Sequence, residues 1–116
     1  MPDSLGTNQR LKSGLEFREI YAERVFVRNQ ELSLCYRPAR LGHSRLGLSV
    51  SRRIGNAVAR NRVKRVLREC YRRLAKTIKQ PVDLIIIPRN FQSASDYEVM
   101  LRSLDKLIAK LNGRLS

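Results

Sequence analysis

Between Ala57 and Leu74 the chain carries seven basic side chains, Arg60, Arg62, Lys64, Arg65, Arg68, Arg72 and Arg73, against one acid, Glu69. Guanidinium groups at this density are suited to phosphates, because the planar fork donates paired hydrogen bonds to an oxyanion and never loses its charge. At about 100° per residue, Asn61, Arg65, Arg68 and Arg72 fall on one line of a helix, opposite Val63, Leu67, Cys70 and Leu74. One side reads as core and the other as a ridge of cations headed by an amide. A solvated charged face is the plain alternative, but such faces mix signs so that i,i+4 pairs form. Here like charges stack, which costs helix stability unless a polyanion quenches them. A membrane-surface helix wants Trp or Phe beside Leu on its apolar side. The chain has no Trp, and that side of the helix is needed for the core. Nucleic acid is the expected partner.

No other cluster reads as an active site. His43 is the one histidine and falls in a turn region, where a lone imidazole is more often incidental than catalytic. Asp83 precedes an apolar run, and Asp96 and Glu98 open a helix, where acids are favourable in any case. No carboxylate pair has the spacing of an acid/base couple or a two-metal nuclease, and there is no Gly-rich phosphate loop. Cys35 and Cys70 lack a CxxC or His-rich setting, so a zinc site is not expected. They read as small buried hydrophobes in a reducing compartment. No acidic cluster would bind a metal unaided.

The elements that must position the basic ridge follow from periodicity. Ser13 and Glu16 match a capping box, leading a short helix with Phe17, Ile20 and Tyr21 at helical spacing. Val25 to Arg28 is a weak strand. Leu32, Leu34 and Tyr36 alternate with Ser33, Cys35 and Arg37, and Leu46, Leu48 and Val50 alternate with Gly47, Ser49 and Ser51. One face of each is predicted buried and the other open. The small open face at Gly47, Ser49 and Ser51 leaves room for a ligand backbone; plain solvent exposure accounts for it equally. Gly55 and Asn56 break the pattern and start the basic helix, with Asn56 a good cap. Asp83 to Pro88 reads as a strand buried on both faces. Ser95 and Glu98 form a second capping box before a last helix with a stripe from Tyr97 to Leu111. The order α-β-β-β-α-β-α predicts an α+β fold, a single sheet packed by helices.

At 116 residues with 42% hydrophobic residues, the chain is one domain with one modest core. Residues 1–12 read as a flexible tail and 13–116 as a single nucleic-acid-binding domain. The net charge of +14 opposes compaction, so a polyanion is expected to neutralise it in use. Without a signal peptide or an apolar run of membrane length, a soluble cytoplasmic protein is expected.

The run Gly55-Asn56-Ala57-Val58-Ala59-Arg60-Asn61-Arg62-Val63-Lys64-Arg65 resembles the signature of the bacterial ribonuclease P protein family. The lead-in Leu46 to Arg53, the strand ending Pro88-Arg89-Asn90, and Leu11-Lys12-Ser13 followed by Phe17 and Tyr21 match as well, over about residues 10–111. An isolated R-N-R would be a weak signal; set in this strand–helix context it is a strong one. The resemblance implies a ribosomal-protein-like fold with a left-handed β-α-β crossover, against the general right-handed rule. It implies a subunit that binds a catalytic RNA and the 5′ leader of precursor tRNA. Hydrolysis would be carried out by the RNA, with magnesium held by RNA and substrate. No obligate protein partner and no membrane are implied.

Two surfaces follow from the resemblance. Arg60, Asn61, Arg62, Lys64, Arg65, Arg68 and Arg72 would bind the RNA subunit. Phe17, Tyr21, Ser49, Ser51, Arg52, Arg53, Asn56 and Arg89 would line a cleft for the single-stranded leader, where stacking tolerates many sequences. Spacing alone fits Phe17 and Tyr21 to a core equally well. A further cleft aromatic of the family would fall on Cys35, with Tyr36 beside it and on the opposite face, so that stacking partner is in question. A ribosomal protein and a protein-only nuclease are the alternatives; the first needs no open aromatic cleft, and the residue inventory argues against the second.

Overall fold

The computed structural model describes residues 9–11, 13–23 and 25–115. The elements run α1 (Gly14–Glu23), β1 (Phe26–Arg28), β2 (Leu32–Pro38), β3 (Arg45–Leu48), α2 (Ala57–Leu74), β4 (Val82–Pro88), α3 (Phe91–Ala94) and α4 (Tyr97–Leu115). The sheet order is β1-β2-β4-β3. β1–β2 and β2–β4 are antiparallel. β3 is parallel to β4 and reaches it through α2. β4 takes a central place because Leu84, Ile85 and Ile86 are apolar toward both faces.

Each face of the sheet has its own core. Leu32, Leu34, Tyr36, Leu46, Leu84 and Ile86 pack under α2 and α4, against Val63, Leu67, Cys70, Leu104, Leu107 and Leu111. Leu11, Ile20, Cys35 and Ile85 form a smaller core under α1, flanked by Phe17, Tyr21, Phe26 and Ile87. The predicted open face of β2 is therefore covered. Cys35 and Arg37 are buried, because α1 lies across them.

Other boundaries move for local reasons. Most of the predicted tail, residues 1–8 and Lys12, lies outside the described residues. Within it, Arg10 bridges to Leu46, and Leu11 is buried with its N–H on the Leu46 carbonyl at 2.9 Å. An apolar side chain over the α1-side core holds Arg10 and Leu11 against β3. The Ser13 hydroxyl accepts from the Glu16 N–H at 3.1 Å, as a cap should. At the last helix the cap is Asp96, which accepts from the Val99 N–H. Ser95 instead ends α3, a short helix that the sequence pattern does not reveal. Tyr71, absent from the predicted apolar stripe of α2, is buried, with burial raising its phenol and a hydrogen bond to Ser44 opposing that.

Candidate nucleic-acid interface

α2 begins where Gly55 turns the chain at φ 151°, a value open to glycine. Asn56 caps the helix, its side-chain oxygen accepting from the Ala59 N–H at 2.9 Å. The expected ridge forms in part. Asn61, Arg62, Arg65, Arg72 and Arg73 are exposed, while Arg60, Lys64 and Arg68 are half-buried. The ion pairs among the described residues involve Arg37, Arg40 and Arg45, so the α2 cations are free of acidic partners there. Seven like charges on one helix, with no ion pair to any of them among the described residues, present a strong field to a polyanion.

Strand register arranges the α1 face of the sheet in three rows. The first is Arg37, Asp83 and Arg45 side by side. Arg45 donates to both Asp83 oxygens, at 3.1 and 3.0 Å, and Arg37 donates to Oδ2 at 3.0 Å. α1 closes this cluster with acids: Glu16 accepts from Arg45 at 2.7 Å and Glu19 from Arg37 at 3.4 Å. Burial acts to raise the Asp83 carboxyl, but hydrogen bonds from Arg45 and Arg37 and their charges outweigh it and hold the group below its ordinary value. Arg45 is held above its ordinary value, chiefly by its hydrogen bond to Asp83, against the effect of burial. These ion pairs fix α1 on the sheet, and with it Phe17 and Tyr21. Nothing in the local sequence marks Arg37, Arg45 and Asp83 as partners, since they lie on three strands.

The second row is Phe26, Cys35, Ile85 and Gly47. Gly47 matters here: a Cβ at that position would come within 2.5 Å of the Phe17 ring. The missing side chain lets the ring lie against the strand. Cys35 is sealed beneath α1, its thiol directed at the Ile20 carbonyl, and Tyr36 belongs to the opposite core. Neither offers a free ring surface. The half-buried Phe26 stands beside Cys35 in register, with the Arg28 guanidinium 4.8 Å above its ring, an aromatic position that the sequence reading did not single out.

The third row, Arg28, Ser33 and Ile87, is not fully covered by α1. Half-buried Ser49, with its N–H on the Ile86 carbonyl at 3.0 Å, continues it. Arg52 and Arg53 are exposed on a 3-10 turn capped by Ser51, and Arg89 is exposed just beyond β4. Phe17 and Tyr21 are half-buried, each with part of its surface open.

Phe17 of the expected leader set and Lys64 and Arg68 of the expected RNA-subunit set share one groove, whereas the other expected site residues do not line it. A groove of about 200 Å³ is lined by Arg10, Leu11, Phe17, Leu46, Gly47, Leu48, Lys64 and Arg68, so α2 cations and an α1 aromatic face the same space. Among the described residues, no group of three His, Cys, Asp or Glu could hold a metal ion, and no helix is long and apolar enough to cross a membrane.

The Ribonuclease P family model matches residues 5–112. The ribonuclease P protein component of Thermoanaerobacter sp. (strain X514) is 38% identical over 101 residues, 87% of each chain. That of Clostridium botulinum (strain Loch Maree / Type A3) is 38% identical over 102 residues, 87% of this chain and 92% of the relative. The RNase P protein of Staphylococcus aureus superposes with a TM-score of 0.76 at 31% identity, covering 89% of this chain and 94% of that one. The protein from Thermotoga maritima gives 0.72 at 30% identity, covering 92% and 97%. The family carries metal-dependent catalysis by RNA and implies association with that RNA and with precursor tRNA. With nearly the whole chain matched in sequence and fold, this protein belongs to the bacterial ribonuclease P protein family, the protein subunit of the endoribonuclease that processes the 5′ end of precursor tRNA.

Proposed function

We propose that α2 grips the catalytic RNA while the face beside α1 carries the 5′ leader, and that the chain contributes binding and not bond cleavage. The observation that carries this reading is the shared groove: Phe17 lies on Gly47 while Lys64 and Arg68 wall the same space. Arg60, Asn61, Arg62, Lys64, Arg65, Arg68 and Arg72 supply the RNA-subunit contacts, with guanidinium groups bridging phosphates. Phe17 and Tyr21 offer partly open rings to unpaired bases. Ser49 and Ser51 leave space for the strand, and Arg52, Arg53 and Arg89 meet its phosphates. Asn56 spends its side-chain oxygen on the helix cap, which leaves its amide N–H groups for the leader. Magnesium is held by the RNA subunit and the substrate. Neutralising the repulsion between two RNAs lowers the magnesium needed, and the cytoplasm is where precursor tRNA is met.

The test is reconstitution. The purified chain with magnesium should leave precursor tRNA intact; added to a bacterial ribonuclease P RNA, it should accelerate cleavage at low magnesium. Cleavage without RNA would overturn the division of labour. Phe17→Ala with Tyr21→Ala should weaken binding of leader-bearing substrate much more than assembly with the RNA. Equal loss in both would remove the stacking role.

A further inference from the structure

The groove and the α2 ridge lie at the β3 edge of the sheet, yet a second set of cations lies at the opposite edge. On α4, Arg102, Lys106, Lys110 and Arg114 follow one another four residues apart, and all are exposed. Each step rises about 6 Å along the helix. The row flanks two hollows beside edge strand β1. One is shared with Asn29, Gln30 and Glu31, the other with residues 25–28. The fold fixes how the row is presented. The Asn29 amide donates to the Ser103 hydroxyl at 2.8 Å, that hydroxyl donates to Glu31 at 3.2 Å, and Arg114 donates to the Phe26 carbonyl at 2.8 Å. α4 is thereby tied to the β1–β2 hairpin at both ends of the row.

None of the four cations takes part in an ion pair among the described residues, although Glu98 and Asp105 lie on the same helix. Like charges four apart destabilise a helix, so the row calls for an anionic partner. A lipid surface is a poor fit, because it would need an apolar face on α4, and that stripe is already spent in the core. The row itself carries no aromatic side chain, so phosphate contact rather than base stacking is its chemistry.

We propose that this edge is a second RNA contact: the α4 row binds sugar–phosphate backbone of the RNA subunit, at a segment separate from the one on α2. The protein then bridges two parts of its RNA. The proposal rests on the reading of α2 as an RNA-subunit contact. The RNA subunit is favoured over the leader because the leader is assigned to the α1 side of the sheet, away from α4.

The experiment measures binding of full-length protein to a ribonuclease P RNA as a function of salt, for wild type and for R102Q/K106Q/K110Q. Arg114 is left in place because it holds the Phe26 carbonyl. The triple variant should keep the wild-type circular dichroism and melting midpoint. Its plot of log affinity against log salt should be shallower by roughly two to three, with affinity about tenfold lower or more at low salt. A wild-type slope and affinity would overturn the proposal. So would a loss seen with free precursor tRNA but not with the RNA subunit. If the triple variant melts early, Lys106→Gln and Lys110→Gln carry the test singly, since neither side chain makes a hydrogen bond among the described residues, and each should lower the slope by about one. Wild type in the same series separates the two ideas: failure of wild type to bind removes the α2 reading and this one with it, whereas failure of the variant to differ removes only this one.

Discussion

Asp83 shows how one buried side chain can hold up a binding surface. It is fully buried between Arg37 and Arg45, and both arginines reach on to acids of α1. Asp83→Asn leaves two buried guanidinium groups undercompensated and should cost roughly 3–5 kcal/mol, read from urea unfolding at neutral pH. The carboxyl's folded pKa lies below its ordinary value of 3.8. Its stabilisation is therefore complete above that value and is lost as pH falls through the folded pKa. The unfolding midpoints of wild type and Asp83→Asn should draw together only as pH falls below 3.8 toward the folded pKa. A gap that persists in acid would show that the ionised carboxylate is not what matters. The thiols behave in the opposite sense. Burial, with Glu23 adding, pushes Cys35 up to about 11; burial, with Glu69 and Glu98 adding, pushes Cys70 up to about 12. At neutral pH neither should react with iodoacetamide in the native protein, and both should react once urea unfolds it. Rapid native labelling of Cys35 would mean that α1 lifts readily from the sheet.

At the scale of elements, α1 is the part whose placement decides the proposed leader surface. It is held by ion pairs from Glu16 and Glu19 and, between them, by Phe17 on Gly47. Gly47→Ala forces the Phe17 ring to shift, since the added carbon would sit 2.5 Å from it. Leader affinity should fall by the worth of a stacked base, roughly 1–3 kcal/mol, while affinity for the RNA subunit stays unchanged; fluorescence anisotropy with leader-bearing and leaderless precursors separates the two. α2 has two kinds of cation. Arg65 points to solvent, whereas Arg68 walls the groove. Arg65→Glu should therefore weaken RNA-subunit binding with a stability change within about 0.5 kcal/mol, and Arg68→Glu should weaken both RNA-subunit and leader binding. A loss of folding in Arg65→Glu by circular dichroism would contradict the helix phase.

For the whole molecule, the controlling quantity is a net charge of +14 on a body of 35 × 31 × 27 Å. Several of these cations meeting phosphates should make affinity for the RNA subunit fall roughly a thousandfold or more between about 50 and 200 mM salt. Titrations across that range check it, and a flat dependence would mean that the α2 ridge does not meet phosphates. The cations are also distributed, α2 lying at one edge of the sheet and α4 at the other, which is the arrangement the proposed bridging of two RNA segments requires.

Local pattern determined a good deal. The run of like charges on α2, its cap at Asn56, the alternation of β2 and the doubly apolar β4 each depend on neighbours a few residues away, so periodicity reports them directly. Tertiary structure decided what depends on residues distant along the chain. Arg37 was expected on an open face and is covered, because α1 returns across the sheet. The Arg37–Asp83–Arg45 cluster exists only because three strands align in register. Gly47 became a seat for Phe17, and the basic ridge joined the aromatic cleft in one groove, only once α1 and α2 were brought to the same sheet edge. Burial and charge pairing are set by which elements pack together, and that choice minimises the free energy of the whole fold rather than of any one segment.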